Sequence, residues 1–114
     1  MGVPLKMTVY TINPQRRFAV RQVVNLRKSE GRAARGLLIE LSSEGCRISN
    51  LKRGEHATGD AVTVEMGEVT LPGVIRWAHD GVAGVKLSTA LFSNQLTELV
   101  AIGRGENEVA RYGT

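Results

Sequence analysis

Apolar residues recur mainly at every second position along this chain, which is the spacing of β-strands with one buried face. Alternation of this kind runs from Val20 to Leu26 and predicts a first strand that begins just after Arg21. The apolar run Leu37–Leu41 is typical of a more fully buried strand. It ends at Ser42–Gly45, whose composition is that of a turn, and Cys46–Ser49 then resumes a strand.

The second half of the chain contains two turn signals between alternating segments. Gly67-Glu68 can reverse the chain, and Asp80-Gly81 is a hairpin signal because a tight primed turn needs positive φ angles. The strands expected around these turns are Val62–Met66, Val69–Leu71, Val74–Trp77 and Val82–Leu87.

One amphipathic helix is predicted near the end of the chain. Leu96, Leu99 and Val100 fall on one helical face, Ser93 is the expected N-cap, and Gly103 can end the helix. Many short strands followed by one terminal helix indicate an all-β domain with one C-terminal helix, arranged as a small closed or nearly closed antiparallel barrel.

Composition fits one compact domain. The chain has 114 residues, of which 42% are hydrophobic and 23% charged, so it can bury a small core. It contains neither an apolar stretch near the roughly 20 residues of a membrane helix nor the apolar region of a signal peptide, so we expect a cytoplasmic protein without membrane insertion. Cys46 is the only cysteine, which excludes an intrachain disulfide, and it is expected to pack as a small hydrophobe.

Charge and side-chain chemistry point to an anionic ligand. The formal net charge is +4, which favours anionic partners. The guanidinium groups of Arg17 and Arg21 can bond two phosphate oxygens at once or stack on an aromatic ring. Further along, Glu40, Ser42 and Gly45 offer a carboxylate, a hydroxyl and a close approach of backbone. Together these residues outline a nucleotide site.

The two segments resemble the signature of the PilZ family, RxxxR followed by (D/N)xSxxG. Arg17–Arg21 matches the first motif, and Glu40–Gly45 matches the second with Glu40 where the family usually has Asp or Asn. The resemblance covers residues 16–102 and leaves 1–15 and 103–114 as expected flexible ends. It implies a six-stranded barrel with a C-terminal helix that binds the bacterial second messenger cyclic di-GMP, and a role for Arg16, just before the motif, in how many ligand molecules bind.

Each candidate also has a simpler interpretation. Arg17 and Arg21 could be ordinary surface cations, and Ser42 could close a turn on its own backbone. If the extra methylene of Glu40 only displaces its carboxylate, Glu40→Asp should tighten cyclic di-GMP binding. Arg47 should point away from the core, towards either a phosphate or a surface salt bridge. Trp77 is predicted to lie in the core.

Three functional hypotheses follow, none of them enzymatic, because no catalytic arrangement, nucleotide glycine loop or metal cluster is apparent. The first is a cyclic di-GMP sensor that needs no cofactor, orders its N-terminal arginine segment on binding and signals through an unidentified protein effector. The second is a PilZ-like adaptor that no longer binds the nucleotide. The third, a non-specific nucleic-acid binder, is disfavoured because only 4% of residues are aromatic; no specific nucleic acid is expected as a partner.

Overall fold

A computed structural model describes residues 16–105 as six antiparallel strands and one helix. The strands are β1 (Phe18–Lys28), β2 (Ala33–Leu41), β3 (Gly45–Ser49), β4 (Ala61–Met66), β5 (Val69–His79) and β6 (Val82–Leu87), and the helix is α1 (Ser93–Gly103). The strands form a closed barrel in the order β1-β2-β3-β6-β5-β4, with pairing between β1 and β4 completing the circle. The predicted barrel with one C-terminal helix is confirmed.

The core fills the barrel with the apolar residues that alternate along each strand. Leu26, Leu38, Leu41 and Ile48 have no accessible surface. Cys46 is buried among them as predicted, and burial raises the pKa of its thiol to about 12. The thiol is therefore protonated at neutral pH and acts as a small apolar group.

The β5–β6 hairpin forms at the predicted turn. Asp80 and Gly81 have φ angles of 54° and 79°, as a primed two-residue turn requires. The two segments predicted before this turn belong instead to one continuous strand, β5, despite Pro72. The Pro72 carbonyl accepts a hydrogen bond from the Ser88 N–H. Ser88 lies just beyond the end of β6, so the N–H that Pro72 lacks removes no hydrogen bond to β6.

Strand β1 begins earlier than the alternation predicted. It starts at Phe18, between the two arginines of the first motif, so Arg21 lies within the strand. The register between β1 and β2 shifts between Ala19 and Gln22, where β1 carries an extra residue. This bulge interrupts the alternation, which is why the pattern placed the start of the strand too late.

Helix α1 packs against β1 and β2 through its apolar face. Leu99 and Val100 are buried as predicted, whereas the expected N-cap, Ser93, is wrong: Phe92 occupies that position, and its N–H donates to the Gln95 side-chain oxygen at 2.8 Å. The helix ends at Gly103, as predicted. No helix within residues 16–105 has the length and apolarity needed to cross a bilayer. Of the expected flexible ends 1–15 and 103–114, residues 1–15 and 106–114 lie outside the described residues, and Gly103 belongs to α1.

Candidate functional site

Four neighbouring strands bring one row of residues together on the outside of the barrel. Glu40 of β2 pairs with Arg47 of β3, Arg47 pairs with Gly84 of β6, and Gly84 pairs with Trp77 of β5. We call these four residues the outer row. Directly opposed side chains on adjacent strands are close enough to interact, so the register places a carboxylate, a guanidinium and an indole side by side.

Trp77 reaches the outer row because of a bulge in β5. Ile75 pairs with Val85 and Trp77 with Gly84, so two residues of β5 span one step of β6. Ile75 is buried, and strict alternation would have turned Trp77 inward as well. The core position predicted for Trp77 is therefore wrong, since its side chain is half-exposed and lines an outer depression. The indole packs directly on Gly84, where a side chain would not fit, because a Cβ there would lie 2.4 Å from two indole atoms.

Arg47 lies between Glu40 and Trp77 in the outer row. Its Cζ atom is 5.4 Å from the centroid of the indole, within the range of a cation–π contact. Its Nε is 3.6 Å from the Glu40 Oε1, which is an ion pair without a short hydrogen bond. The predicted outward direction of Arg47 is confirmed, and so is a surface salt bridge.

The outer row borders a depression of about 370 Å³, which we call the basic depression. Its lining includes Gly45, Cys46 and Val85, together with four cationic side chains and two carboxylates. The cations are Arg17, Arg47, Arg76 and Lys86, and the carboxylates are Glu40 and Glu44. The volume is in the range of small-ligand sites, and the excess of positive charge suits an anion.

Three of the predicted site residues, Arg17, Glu40 and Gly45, line the basic depression. A Cβ on Gly45 would lie 2.6 Å from the Val85 carbonyl oxygen, so a glycine is needed for the close approach of β3 and β6. Ser42 lies in the adjacent turn, where its Oγ accepts from the Gly45 N–H at 3.2 Å and donates to the Gly45 carbonyl oxygen. This is the turn-closing role considered as its alternative.

Arg16 and Arg21 are exposed and are not among the residues that line the basic depression. Arg21 is in β1, two residues after Ala19, and Ala19 pairs with Glu40 of β2. Arg21 is therefore on the strand next to the outer row. Arg16 stacks on Phe18, with 4.8 Å between its Cζ and the ring centroid. Arg104 contacts the same ring and donates from Nε to the Ala19 carbonyl oxygen at 2.9 Å.

Sequence reasoning missed two cations of the basic depression and misplaced one aromatic residue. Arg76 and Lys86 follow the buried Ile75 and Val85, so alternation alone could have placed them outside. Trp77 could not have been found this way, since the bulge reverses its direction. Within residues 16–105 no group of three His, Cys, Asp or Glu side chains is arranged to hold a metal ion.

Comparison with known proteins identifies the fold. The chain is similar in structure to the PilZ domain of CeSA from a cellulose-synthesizing bacterium, with a TM-score of 0.59 and 18% sequence identity. The match covers 77% of this chain and 94% of that domain. No protein-family model matches the sequence, and no curated protein matches it significantly. The barrel therefore has a PilZ-type fold.

Proposed function

We propose that this domain is a cyclic di-GMP sensor that binds the nucleotide in the basic depression. The observation that carries the proposal is the presence of four cations and one indole around a depression bounded by both motif segments. A cyclic dinucleotide combines two phosphates with two aromatic bases, and arginine serves both, through bidentate hydrogen bonds and through stacking. The PilZ-type fold and the matching order of the two motifs support the same ligand.

The proposed roles follow from the chemistry of each residue. Arg17 binds phosphate at the wall of the depression, and Arg21 reaches in from β1. Glu40 and Gly45 also border the depression, with Ser42 holding the turn that carries Gly45. Trp77 offers a half-exposed face on which a base can stack.

Ordering of the arginine segment is the proposed signalling step. Arg16, Arg17 and Arg21 lie close together in the sequence and repel one another, and a doubly anionic ligand removes that repulsion. Binding then fixes the segment across the barrel and creates a surface for a protein effector. The domain acts in this account as a non-enzymatic adaptor in bacterial signalling.

Isothermal calorimetry with cyclic di-GMP tests the proposal. Arg17→Ala and Arg21→Ala should each lower affinity at least about tenfold, because each removes a charge-assisted bond, while the unfolding midpoint stays unchanged. Arg32→Ala removes an exposed charge outside the depression and serves as the control.

Absence of binding by the wild-type chain at low salt would contradict the sensor and favour an adaptor that works through protein contact alone.

Salt dependence distinguishes binding of cyclic di-GMP from non-specific binding of nucleic acid. A single-stranded nucleic acid contacted through many phosphates loses affinity steeply with salt, by a log–log slope of roughly −0.7 per phosphate, whereas a ligand with two phosphates shows a shallow slope. Tight oligonucleotide binding that persists without Arg17 and Arg21 would also contradict the proposal.

A further inference from the structure

Arg47 is held in place on two sides before any ligand arrives. Its Cζ lies over the indole of Trp77, 5.4 Å from the ring centroid, and Glu40 approaches its Nε at 3.6 Å. The side chains of Arg47 and Glu40 are 39% and 29% exposed, so the pair lies at the wall of the basic depression and remains accessible. A flexible arginine loses rotamer freedom when it binds an anion, and two existing contacts reduce that loss.

The length of Glu40 matches this contact. Glu40 and Arg47 are direct cross-strand partners, and their carboxylate and guanidinium meet at the edge of ion-pair distance. An aspartate would withdraw the carboxylate by about one C–C bond, roughly 1.5 Å. Such a shortened side chain no longer reaches Nε from the same backbone. The glutamate is thus the residue that can hold Arg47 from this position.

The remaining donors of Arg47 are suited to a phosphate. A guanidinium has five N–H groups, and only the Nε side faces Glu40. Within residues 16–105, Glu40 is the only polar partner recorded for the Arg47 side chain. The terminal amino groups are therefore available to the depression that Arg47 lines, and they can bond phosphate oxygens.

We infer that Arg47 is a phosphate-binding residue of the basic depression and that Glu40 is its positioning residue, an inference that rests on the proposed nucleotide function. Glu40 acts on the ligand through Arg47 and makes no base contact of its own. Arg17, just before β1, and Arg47 of β3 then approach the ligand from different parts of the barrel. This reverses the expectation drawn from the sequence for Glu40→Asp, which should now weaken binding because it releases Arg47.

Calorimetry with cyclic di-GMP on five variants tests the inference. Arg47→Ala should lower affinity at least about tenfold, and Arg47→Lys should not restore it, because lysine lacks the planar fork. Glu40→Asp and Glu40→Gln should each lower affinity severalfold. Adding Glu40→Gln to Arg47→Ala should cause no further loss, since Glu40 has nothing left to position.

Arg27→Ala is the control, because Arg27 forms a diagonal cross-strand ion pair with Glu65 between β1 and β4, away from the depression. It should leave affinity unchanged. Three results would overturn the inference: unchanged affinity of Arg47→Ala, tighter binding by Glu40→Asp, or a Glu40→Gln loss that persists in full without Arg47.

Fluorescence of the free protein separates this inference from the proposed function. Trp77 is the only tryptophan, so its emission and its quenching by acrylamide report on the Arg47 contact without any ligand. Arg47→Ala and Glu40→Gln should both raise quenching, and Arg27→Ala should not. If the wild type binds no nucleotide while the two variants still show increased quenching, the nucleotide function is contradicted and the positioning of Arg47 stands. Unchanged quenching in both variants would defeat the positioning by Glu40.

Discussion

His56 is the only buried polar residue within residues 16–105, and its Nδ1 has no hydrogen-bond partner there. The pKa of His56 is lowered, first by burial and then by the charge of Lys28, while Glu55 and Asp60 act in the opposite direction. The folded protein therefore binds the His56 proton less readily than the unfolded chain. This makes His56 a source of pH-dependent stability unconnected with the basic depression.

The sign of this dependence follows from the lowered pKa. Above the ordinary histidine pKa of about 6.5, His56 is neutral in both the folded and the unfolded protein, so its protonation does not change the free energy of unfolding. As the pH falls through 6.5 towards the lower folded pKa, the unfolded chain takes up the proton first, and the free energy of unfolding decreases. Glu65, whose pKa is lowered chiefly by its hydrogen bond to Arg27, loses its contribution only in a more acidic range.

Urea unfolding of wild type and His56→Leu at pH 7.5 and 5.5 checks this prediction. The wild type should lose more stability between the two pH values than the variant, which lacks the titrating group. An equal loss in wild type and His56→Leu would contradict the account.

The contact between α1 and β1 depends on a glycine. A Cβ on Gly103 would lie 2.9 Å from the Cβ of Val20 and 3.1 Å from its Cγ1, closer than packed carbon atoms normally approach. The helix can therefore lie flush on β1 only because position 103 has no side chain. The positive φ angle that usually marks a helix-ending glycine is found two residues later, at Gly105.

Gly103→Val should destabilise the fold by at least about 2 kcal/mol, the typical cost of overpacking a close contact. Chemical denaturation measures the change. Glu98→Val introduces the same residue on the exposed side of α1 and should have a much smaller effect. Combining Gly103→Val with Val20→Ala should cost less than the sum of the single changes, because both alter one contact. Additive costs would argue against this packing.

At the scale of elements, the sequence pattern correctly predicted strands and turns where apolar residues alternate regularly. It failed where an extra residue interrupts the alternation. The β5–β6 hairpin was predictable because Asp80-Gly81 specifies its turn locally. The direction of Trp77 was not, since one extra residue in a strand leaves no mark in the composition. The start of β1 was placed too late for the same reason.

The candidate site divides in a similar way. Arg17, Glu40 and Gly45 could be selected from the order of two motifs, and they border one depression. The neighbourhood of Arg47 and Trp77 could not be inferred, because β3 and β5 become near neighbours only through β6 and the register of a closed barrel. Side chains far apart in the sequence meet there by strand pairing, which no local signal encodes.

At the scale of the whole molecule, barrel closure limits how the proposed sensor could pass on a signal. All six strands are paired on both sides within residues 16–105, so the sheet offers no unpaired edge strand to a partner. In the proposed function, an effector would then recognise side chains on the outer surface. The proposed ordering of the arginine segment next to the outer row would supply such a surface only when the ligand is bound.

The PilZ-type fold identifies the architecture and leaves the ligand to be tested, because one fold can carry different functions. The central claim is that cyclic di-GMP binds on the wall formed by β2, β3, β6 and β5. This wall lies across the barrel from the seam between β1 and β4. A bound nucleotide should therefore perturb this wall and the arginine segment at the start of β1, and leave Asn25–Lys28 and their partners in β4 unchanged.

Titration of the isotope-labelled protein with cyclic di-GMP, followed by two-dimensional amide NMR, tests this claim most directly. The largest shifts are expected at Arg17, Arg21, Arg47, Lys86 and the single indole N–H of Trp77, whereas Arg27 and Glu65 on the opposite seam should barely move. Saturating shifts centred on the β1–β4 seam, or no shifts at millimolar nucleotide, would contradict it.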